Sequence, residues 1–255
     1  MYYEEIPPHP LLRRYVACLW RSGSPGGGQA GATHRVLPDN CIDILWQDSG
    51  RPAFAVGMMT RAIHVPLAGP VRTVAARFKP GAAGLFLGVP LHELTDLDVA
   101  VTEFRALGDV ERLADVLWRD GLDDAGRLRL IEQHLLSRLP SLAPMAGPSL
   151  VGAALNALDS SGGALRVDAL VERLGVSRQH LAAQFRTHVG LSPKLYARIL
   201  RFRRATDALP QPGLAAVDWA HLALDCGYFD QSHLIRDFRE FADSTPEGFH
   251  LSNRV

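Results

Sequence analysis

The chain is poor in the features that would take it out of the ordinary globular class. It has only three cysteines, Cys18, Cys41 and Cys226, odd in number and widely spaced, which argues against a disulfide framework. Cys41 with His34, joined on folding by Cys18, could seed a metal site. No close CxxC or HxxxH spacing supports one, so neither metal nor cofactor is expected. No apolar run approaches the 18 residues of a membrane span. The opening MYYEEIPPHP carries acids and prolines where a signal peptide needs a basic and then an apolar stretch. A cytoplasmic protein without a membrane partner is the expectation.

Charge of either sign is not in excess. The 27 lysines and arginines balance 27 aspartates and glutamates. From Ser149 onward there are 12 basic and 11 acidic residues, and residues 1–148 hold 15 and 16. Such neutrality predicts modest non-specific affinity for polyanions and leaves specific contacts and dimerisation to carry more of any binding.

What is present fits two cores in 255 residues, with 47% hydrophobic and 21% charged residues. The proline-broken stretch LPSLAPMAGPSL, Leu139 to Leu150, reads as the boundary. This divides the chain into a β-rich domain over 1–140, a linker over 141–149 and a helical domain over 150–255. Glycines in SGSPGGGQAGAT, Ser22 to Thr33, suggest a loop beside the first domain. HRVLP, CIDILWQ, AFAVGM, AIHVPL and VRTVAARF read as five short strands, and so as a small antiparallel sandwich or barrel. Short helical pieces follow over Pro80–Leu87 and Leu91–Leu94. Two helices then run over Val110–Trp118 and Ala125–Leu139. On the second, Leu128, Ile131, Leu135 and Leu139 form an apolar stripe that suits core packing or, alternatively, a dimer seam.

The most informative pattern is a duplication. LVERLGVSRQHLAAQFRTHVGLSP, from Leu170, returns at low identity as LALDCGYFDQSHLIRDFREFADSTP, from Leu222. Leu170 and Gly175 match Leu222 and Gly227 at an offset of 52; the turn then gains one residue. At the new offset of 53, Leu181, Phe185, Arg186 and Pro193 match Leu234, Phe238, Arg239 and Pro246. Each copy reads as a helix, a glycine turn suited to positive φ, an N-cap (Ser177, Asp230) and a second helix. Leu181 with Phe185, and Leu234 with Phe238, face inward. Polar side chains remain outside, and arginine and glutamine can make bidentate bonds to guanine and adenine edges in a major groove. Two amphipathic helices packed in a bundle would show the same apolar spacing, but a bundle needs no turn glycine at matched phase.

At these residues the chain resembles the AraC/XylS family of bacterial transcription regulators, most closely over LALDCGYFDQSHLIRDFREFADSTPEGF, Leu222 to Phe249. The resemblance implies an α+β protein in which the C-terminal all-α domain has two helix-turn-helix units joined by a long helix, reading two successive turns of the major groove. It implies base-facing positions at Arg178, Gln179, Ala182 and Ala183 of the first unit and at Gln231, Ser232, His233 and Arg236 of the second; Arg186 is added as a DNA contact. Ala182 and Ala183 stand where longer polar side chains are usual, Asp243 replaces a usual glycine, and Pro210 and Pro212 interrupt the connection.

HRVLPDNCIDILW, His34 to Trp46, and RFKPG, Arg77 to Gly81, resemble an N-terminal sensor-type domain found on a subset of these regulators. By strand position alone, His34, Arg35, Asp43, Trp46, His64 and Arg77 are candidates for an effector pocket.

Between the copies, Pro193 to Leu209 reads as the connecting helix, begun by Pro193 and stopped by Pro210. About sixteen residues make a rod of roughly 24 Å, shorter than the roughly 34 Å between successive major-groove faces. Arg198, Arg201, Arg203 and Arg204 on it suit phosphates, core-side partners or a solvated face equally.

The leading expectation is a non-enzymatic, sequence-specific regulator, of the activator type among others, that binds double-stranded DNA under a small-molecule effector, with RNA polymerase and a second copy of the chain as further partners. The alternatives are a constitutive DNA-binding dimer and a cysteine-based alkyl-transfer protein. The last wants an activated, metal-held cysteine cluster, and only isolated cysteines occur.

Overall fold

The computed structural model describes residues 2–23, 33–66, 70–119, 121–139, 149–210 and 217–252. Nearly all of the expected 141–149 linker and of the Ser22–Thr33 loop lies outside them.

Alternation of apolar and polar residues builds the first domain. Strands β1 (Tyr2–Ile6), β2 (Val16–Gly23), β4 (Ile42–Gln47), β5 (Phe54–Val56), β7 (Arg72–Phe78) and β8 (Asp98–Ala100) form an antiparallel sheet in the order β1-β2-β7-β4-β5-β8. Strands β3 (Thr33–Val36) and β6 (Ile63–Pro66) pair separately as a two-stranded ribbon. The five expected strands are all present. The β-rich reading missed β1, β2 and β8, although β2 lies beside the central β7. YYEEI shows no alternation of apolar and polar residues, and the glycine-rich Ser22–Thr33 stretch into which β2 runs reads as a loop beside the domain and not as the end of a strand.

Ile42, Ile44 and Trp46 of β4 and Val74, Ala76 and Phe78 of β7 point to one buried face. Against it pack α1 (Ala83–Leu87), the 3-10 turn Leu91–Glu93, α2 (Val110–Leu117) and α3 (Asp124–Arg138). Leu128, Ile131 and Leu135 of α3 are 4%, 0% and 1% exposed, so the apolar stripe is spent on this core within one chain.

The helical half begins with α4 (Leu150–Ser160), capped by Ser149. The first repeat is α5 (Val167–Leu174) and α6 (Arg178–Val189); the second is α8 (Trp219–Asp225) and α9 (Gln231–Ala242), with α10 (Pro246–Ser252) after it. Between them runs α7, Pro193–Asp207, with Ser192 as N-cap and Pro193 in its first turn. At 1.5 Å per residue it is about 22 Å long.

The turn chemistry follows the sequence. Gly175 and Gly227 take φ of 65° and 82°. Ser177 and Asp230 accept from the backbone N–H groups of His180 and His233, satisfying orphan donors at the helix starts. Asp243, in place of a usual glycine, keeps the left-handed conformation at φ 51°, which aspartate tolerates better than bulkier residues.

Helix α7 is the spine of this half. Ile199, Phe202 and Ala205 are fully buried, and Phe202 meets Phe238 and Phe241 of α9 at ring-centroid distances of 5.1 and 5.4 Å. On the other side Tyr196 packs edge-on to Phe185 of α6 at 6.0 Å.

The structure divides the arginines of α7. Arg198 pairs with Asp237 at 2.7 Å and with Glu240, both on α9; Arg201 donates to the Gly163 carbonyl and stacks over Tyr228. Arg203 faces only Asp207 at 4.0 Å, and Arg204 is exposed. The first two therefore serve the fold. Asp237 is 4% exposed, and removing its partner strands a buried charge. Arg198→Ala is expected to cost about 3 kcal/mol, measured by urea unfolding, whereas Arg204→Ala should fall within about 0.5 kcal/mol of wild type.

Candidate nucleic-acid interface

Two helices, α6 and α9, each with an apolar side buried and a polar side free, define the candidate site. On α6, Leu181, Phe185 and Val189 are fully buried. Arg178, Gln179, Ala183 and Arg186 are exposed, and Ala182 is half-buried. Arg178 pairs with Asp168 of α5 at 2.6 Å, a contact with both side chains at least half exposed. Water screens such a pair, so it is worth little and is readily traded for another anion. On α9, Leu234, Phe238, Phe241 and Ala242 are fully buried, and Gln231, Ser232, His233 and Arg236 are all exposed. Each expected set thus lies on the free side of one helix, toward its N-terminal end.

Two residues on or beside α9 escape the sequence reading. Arg239 lines, with Ser232, Ile235 and Arg236, a concavity of about 370 Å³ along α9. Its signal was available, since the 53-residue offset aligns it with Arg186, which the sequence offers as a candidate DNA contact. The other is Phe229, 83% exposed, one residue before the N-cap of α9.

The opposite, C-terminal ends of α6 and α9 are held by the first domain. Gly190, the left-handed C-cap of α6, gives its carbonyl to the Thr95 hydroxyl at 2.8 Å. A Cβ at this glycine would stand 3.0 Å from the Leu91 carbonyl oxygen, so a side chain here would push the two backbones apart by a few tenths of an ångström, at a φ of 93° that already favours glycine. At the end of α9, Arg35 of the ribbon donates to the Ala242 carbonyl at 3.1 Å and to the Ser252 hydroxyl at 2.9 Å. Its guanidinium also lies 4.8 Å from the Phe249 ring centroid. A cation suits the negative end of a helix. His64, across the ribbon from Arg35, lies 3.7 Å from Asp243. Between these holds Asn40, at φ 61°, donates to the Tyr196 carbonyl of α7 at 3.1 Å. Asn40 is 2% exposed; it sits within the HRVLPDNCIDILW stretch but was not singled out from sequence.

The six effector candidates do not converge. Asp43 and Arg77 share the outer face of the sheet, where Arg77 meets Asp43 at 3.1 Å, Glu5 at 3.4 Å and Asp39 at 3.5 Å. The Trp20 indole N–H donates to Asp43 at 3.0 Å, and Tyr3 lies against the Trp20 ring. Burial pushes the Asp43 carboxyl above the usual range, against the pull of Arg77. Trp46 points to the core face, 2% exposed. His34, Arg35 and His64 lie on the ribbon, and Arg35 is spent on the second helix-turn-helix.

The cysteines lack the setting of a nucleophile. Burial foremost pushes the Cys18 thiol up to about 12 and the Cys41 thiol well above its ordinary value, the reverse of thiolate activation. Among the described residues no three His, Cys, Asp or Glu side chains converge as metal ligands, and no helix is long and apolar enough to cross a membrane.

Two helix-turn-helix units on one spine, each with a free polar face, place the chain in the class of tandem helix-turn-helix proteins. Comparison makes this particular. Residues 170–251 match the family described as a helix-turn-helix domain. Residues 4–100 match a domain of unknown function, DUF6597. The HTH-type transcriptional activator RhaS of Escherichia fergusonii is 28% identical over 144 residues, which cover 54% of this chain and 51% of RhaS. The match thus spans about half the length of that relative. Among solved structures, ToxT from Vibrio cholerae is 10% identical with a TM-score of 0.47, covering 92% of this chain and 99% of its own. The xylose-binding transcription activator xylR is 16% identical with a TM-score of 0.34, covering 52% of this chain and 39% of its own.

Arg35 supplies two charge-assisted bonds and a ring contact at the end of α9. Arg35→Ala is expected to cost about 1.5–3 kcal/mol and to speed amide exchange over residues 242–252 while α4 to α6 keep wild-type protection. Hydrogen-exchange mass spectrometry checks this; unchanged exchange over 242–252 would show that the contact does not hold the unit.

Proposed function

We propose that the chain is a sequence-specific, double-stranded-DNA-binding transcription regulator, cytoplasmic and not an enzyme, that sets α6 and α9 into neighbouring major-groove segments of one duplex. One observation carries this reading: two matched helices, fixed to a common spine, each leave a polar N-terminal face free while burying everything apolar. Helix-turn-helix proteins read bases from that end. Arg178, Gln179, Gln231, His233 and Arg236 are the reading residues; Arg186 and Arg239, further along, suit phosphates. Ala182 and Ala183 offer methyl-sized contacts, so the first unit reads mainly through Arg178 and Gln179. Helix α7 is shorter than the spacing of successive groove faces, so either the bound duplex bends to meet both units, at a cost of a few kcal/mol, or one unit sits loosely on it.

Gln179→Ala and Arg236→Ala are each expected to lose about 1–3 kcal/mol on the cognate site and to relax specificity at one base. A gel-shift series in which both variants bind cognate and random DNA as the wild type does would remove the assignment.

Control is assigned to the first domain, through a small-molecule effector. What supports it is mechanical: the domain touches the C-terminal ends of both reading helices, so a ligand that prefers one setting of those contacts shifts DNA affinity by its differential affinity. Asp43 and Arg77, with Trp20 and Tyr3, form the partly accessible polar cluster on which to look for it.

A second reading, a DNA-binding protein without an effector, is favoured by the mutual pairing of that cluster, whose Arg77 is already met by Asp43, Glu5 and Asp39. A thermal-shift screen separates the two. A metabolite that raises Tm of the full chain and alters its DNA affinity supports control by effector; a metabolite panel that moves neither favours the second reading.

A further inference from the structure

Resting on the DNA-reading proposal, we infer that Phe229 is a base-contacting residue whose ring covers the 5-methyl group of a thymine in the major groove. The sequence comparison of the two units singles out this residue. Between the left-handed glycine of the turn and the N-cap of the reading helix, the first unit has one residue, Val176, and the second has two, Tyr228 and Phe229. Tyr228 is 5% exposed and fills the inward place, leaving Phe229 as the added residue. The first unit closes the same corner without a counterpart, so the turn does not require it.

Nor does the core require it. Phe185, Tyr196, Phe202, Phe238, Phe241 and Phe249 of this domain are all at most 4% exposed, whereas Phe229 is 83% exposed. A ring left in water forgoes the stabilisation that covering it would bring. Its position gives the exposure a use. It stands one residue before the Asp230 N-cap of α9, at the end through which a reading helix approaches base edges. Its ring meets that of the reading residue His233 edge-on, at 6.4 Å and 83° between planes, so the aromatic and the polar reader share one face.

The occupant follows from the chemistry of the groove. Base edges there present donors, acceptors and a single apolar group, the thymine methyl. Gln231, Ser232, His233 and Arg236 answer the polar groups, and Phe229 is the apolar side chain of the set. The second unit is therefore assigned a site with a thymine next to the base that His233 faces.

The test uses the full chain and a duplex selected in vitro by the wild-type protein, read by fluorescence anisotropy. Thymines under the second unit are replaced one at a time by deoxyuridine, which removes only the methyl. At one of them wild-type affinity should fall about fourfold, the worth of one covered methyl group. Phe229→Ala should bind the thymine duplex at least about fourfold more weakly and respond no further to deoxyuridine, with a nearly unchanged thermal melt because the side chain is 83% exposed and enters no core. Phe229→Leu should keep part of the methyl response, and Arg236→Ala, though weaker overall, all of it. The inference is overturned if Phe229→Ala binds as wild type does, or if both respond equally to methyl removal. A variant that changes transcription but not affinity also overturns it, by making Phe229 a protein contact. If the wild type selects no preferred duplex, the DNA-reading proposal falls together with this one; selection followed by an indifferent Phe229→Ala removes only the inference.

Discussion

Helices α6 and α9 end on the same body. The carbonyl of Gly190 and the carbonyl of Ala242 each close a helix, and each is bound by a side chain of the β-rich domain, Thr95 in one case and Arg35 in the other. The N-terminal ends, which face a duplex in the proposed complex, are left free. This polarity makes the two halves of the chain one mechanical unit. The hydrophobic core says the same, running without a break from Ile44 of the sheet to Phe238 of the second helix-turn-helix.

The spine between the units is tied at several points along its length. Tyr196, near its start, donates to Asp159 of α4 at 2.8 Å, packs on Phe185 and gives its carbonyl to Asn40. Arg198, one half-turn on, is bound to Asp237 and Glu240, and Phe202 sits among the rings of α9. A rod fixed in this way transmits a displacement of the first domain to both readers, because packed interiors yield little. That is a reason to expect control, where it exists, to act on the relative setting of the two helices more than on either alone.

The outer face of the sheet has a different character. Arg77 is surrounded by three carboxylates, and a guanidinium satisfied by its own chain has little left for a ligand. Polar residues on strands are pocket candidates one by one in the sequence, but strand pairing sets Asp43 opposite Arg77, so that two of the candidates answer each other. The same pairing places His64 opposite Arg35 on the ribbon. Ribbon and sheet separate the six candidates into different surroundings, which is a consequence of register and lies beyond any local pattern.

Local chemistry was therefore enough for the units and their polarity. The matched Gly, Leu, Phe and Pro positions specify two helix-turn-helix corners; the N-caps, the left-handed glycines, the buried and free sides of α6 and α9 and the connecting helix all follow from periodicity and from φ preferences that act within a few residues. Five strands were legible by their alternation and bounding turns. Three were not, since β1 and β2 gain their strand character by pairing with β7 and its neighbours, and β8 is three residues long. The holds of Thr95, Arg35 and Asn40 on the far ends of the readers and on the spine join residues 95, 207 and 156 positions apart. A sequence prescribes what each short segment prefers, because those preferences are set by neighbours along the chain. Which distant surfaces meet is settled only when all the apolar faces are buried together.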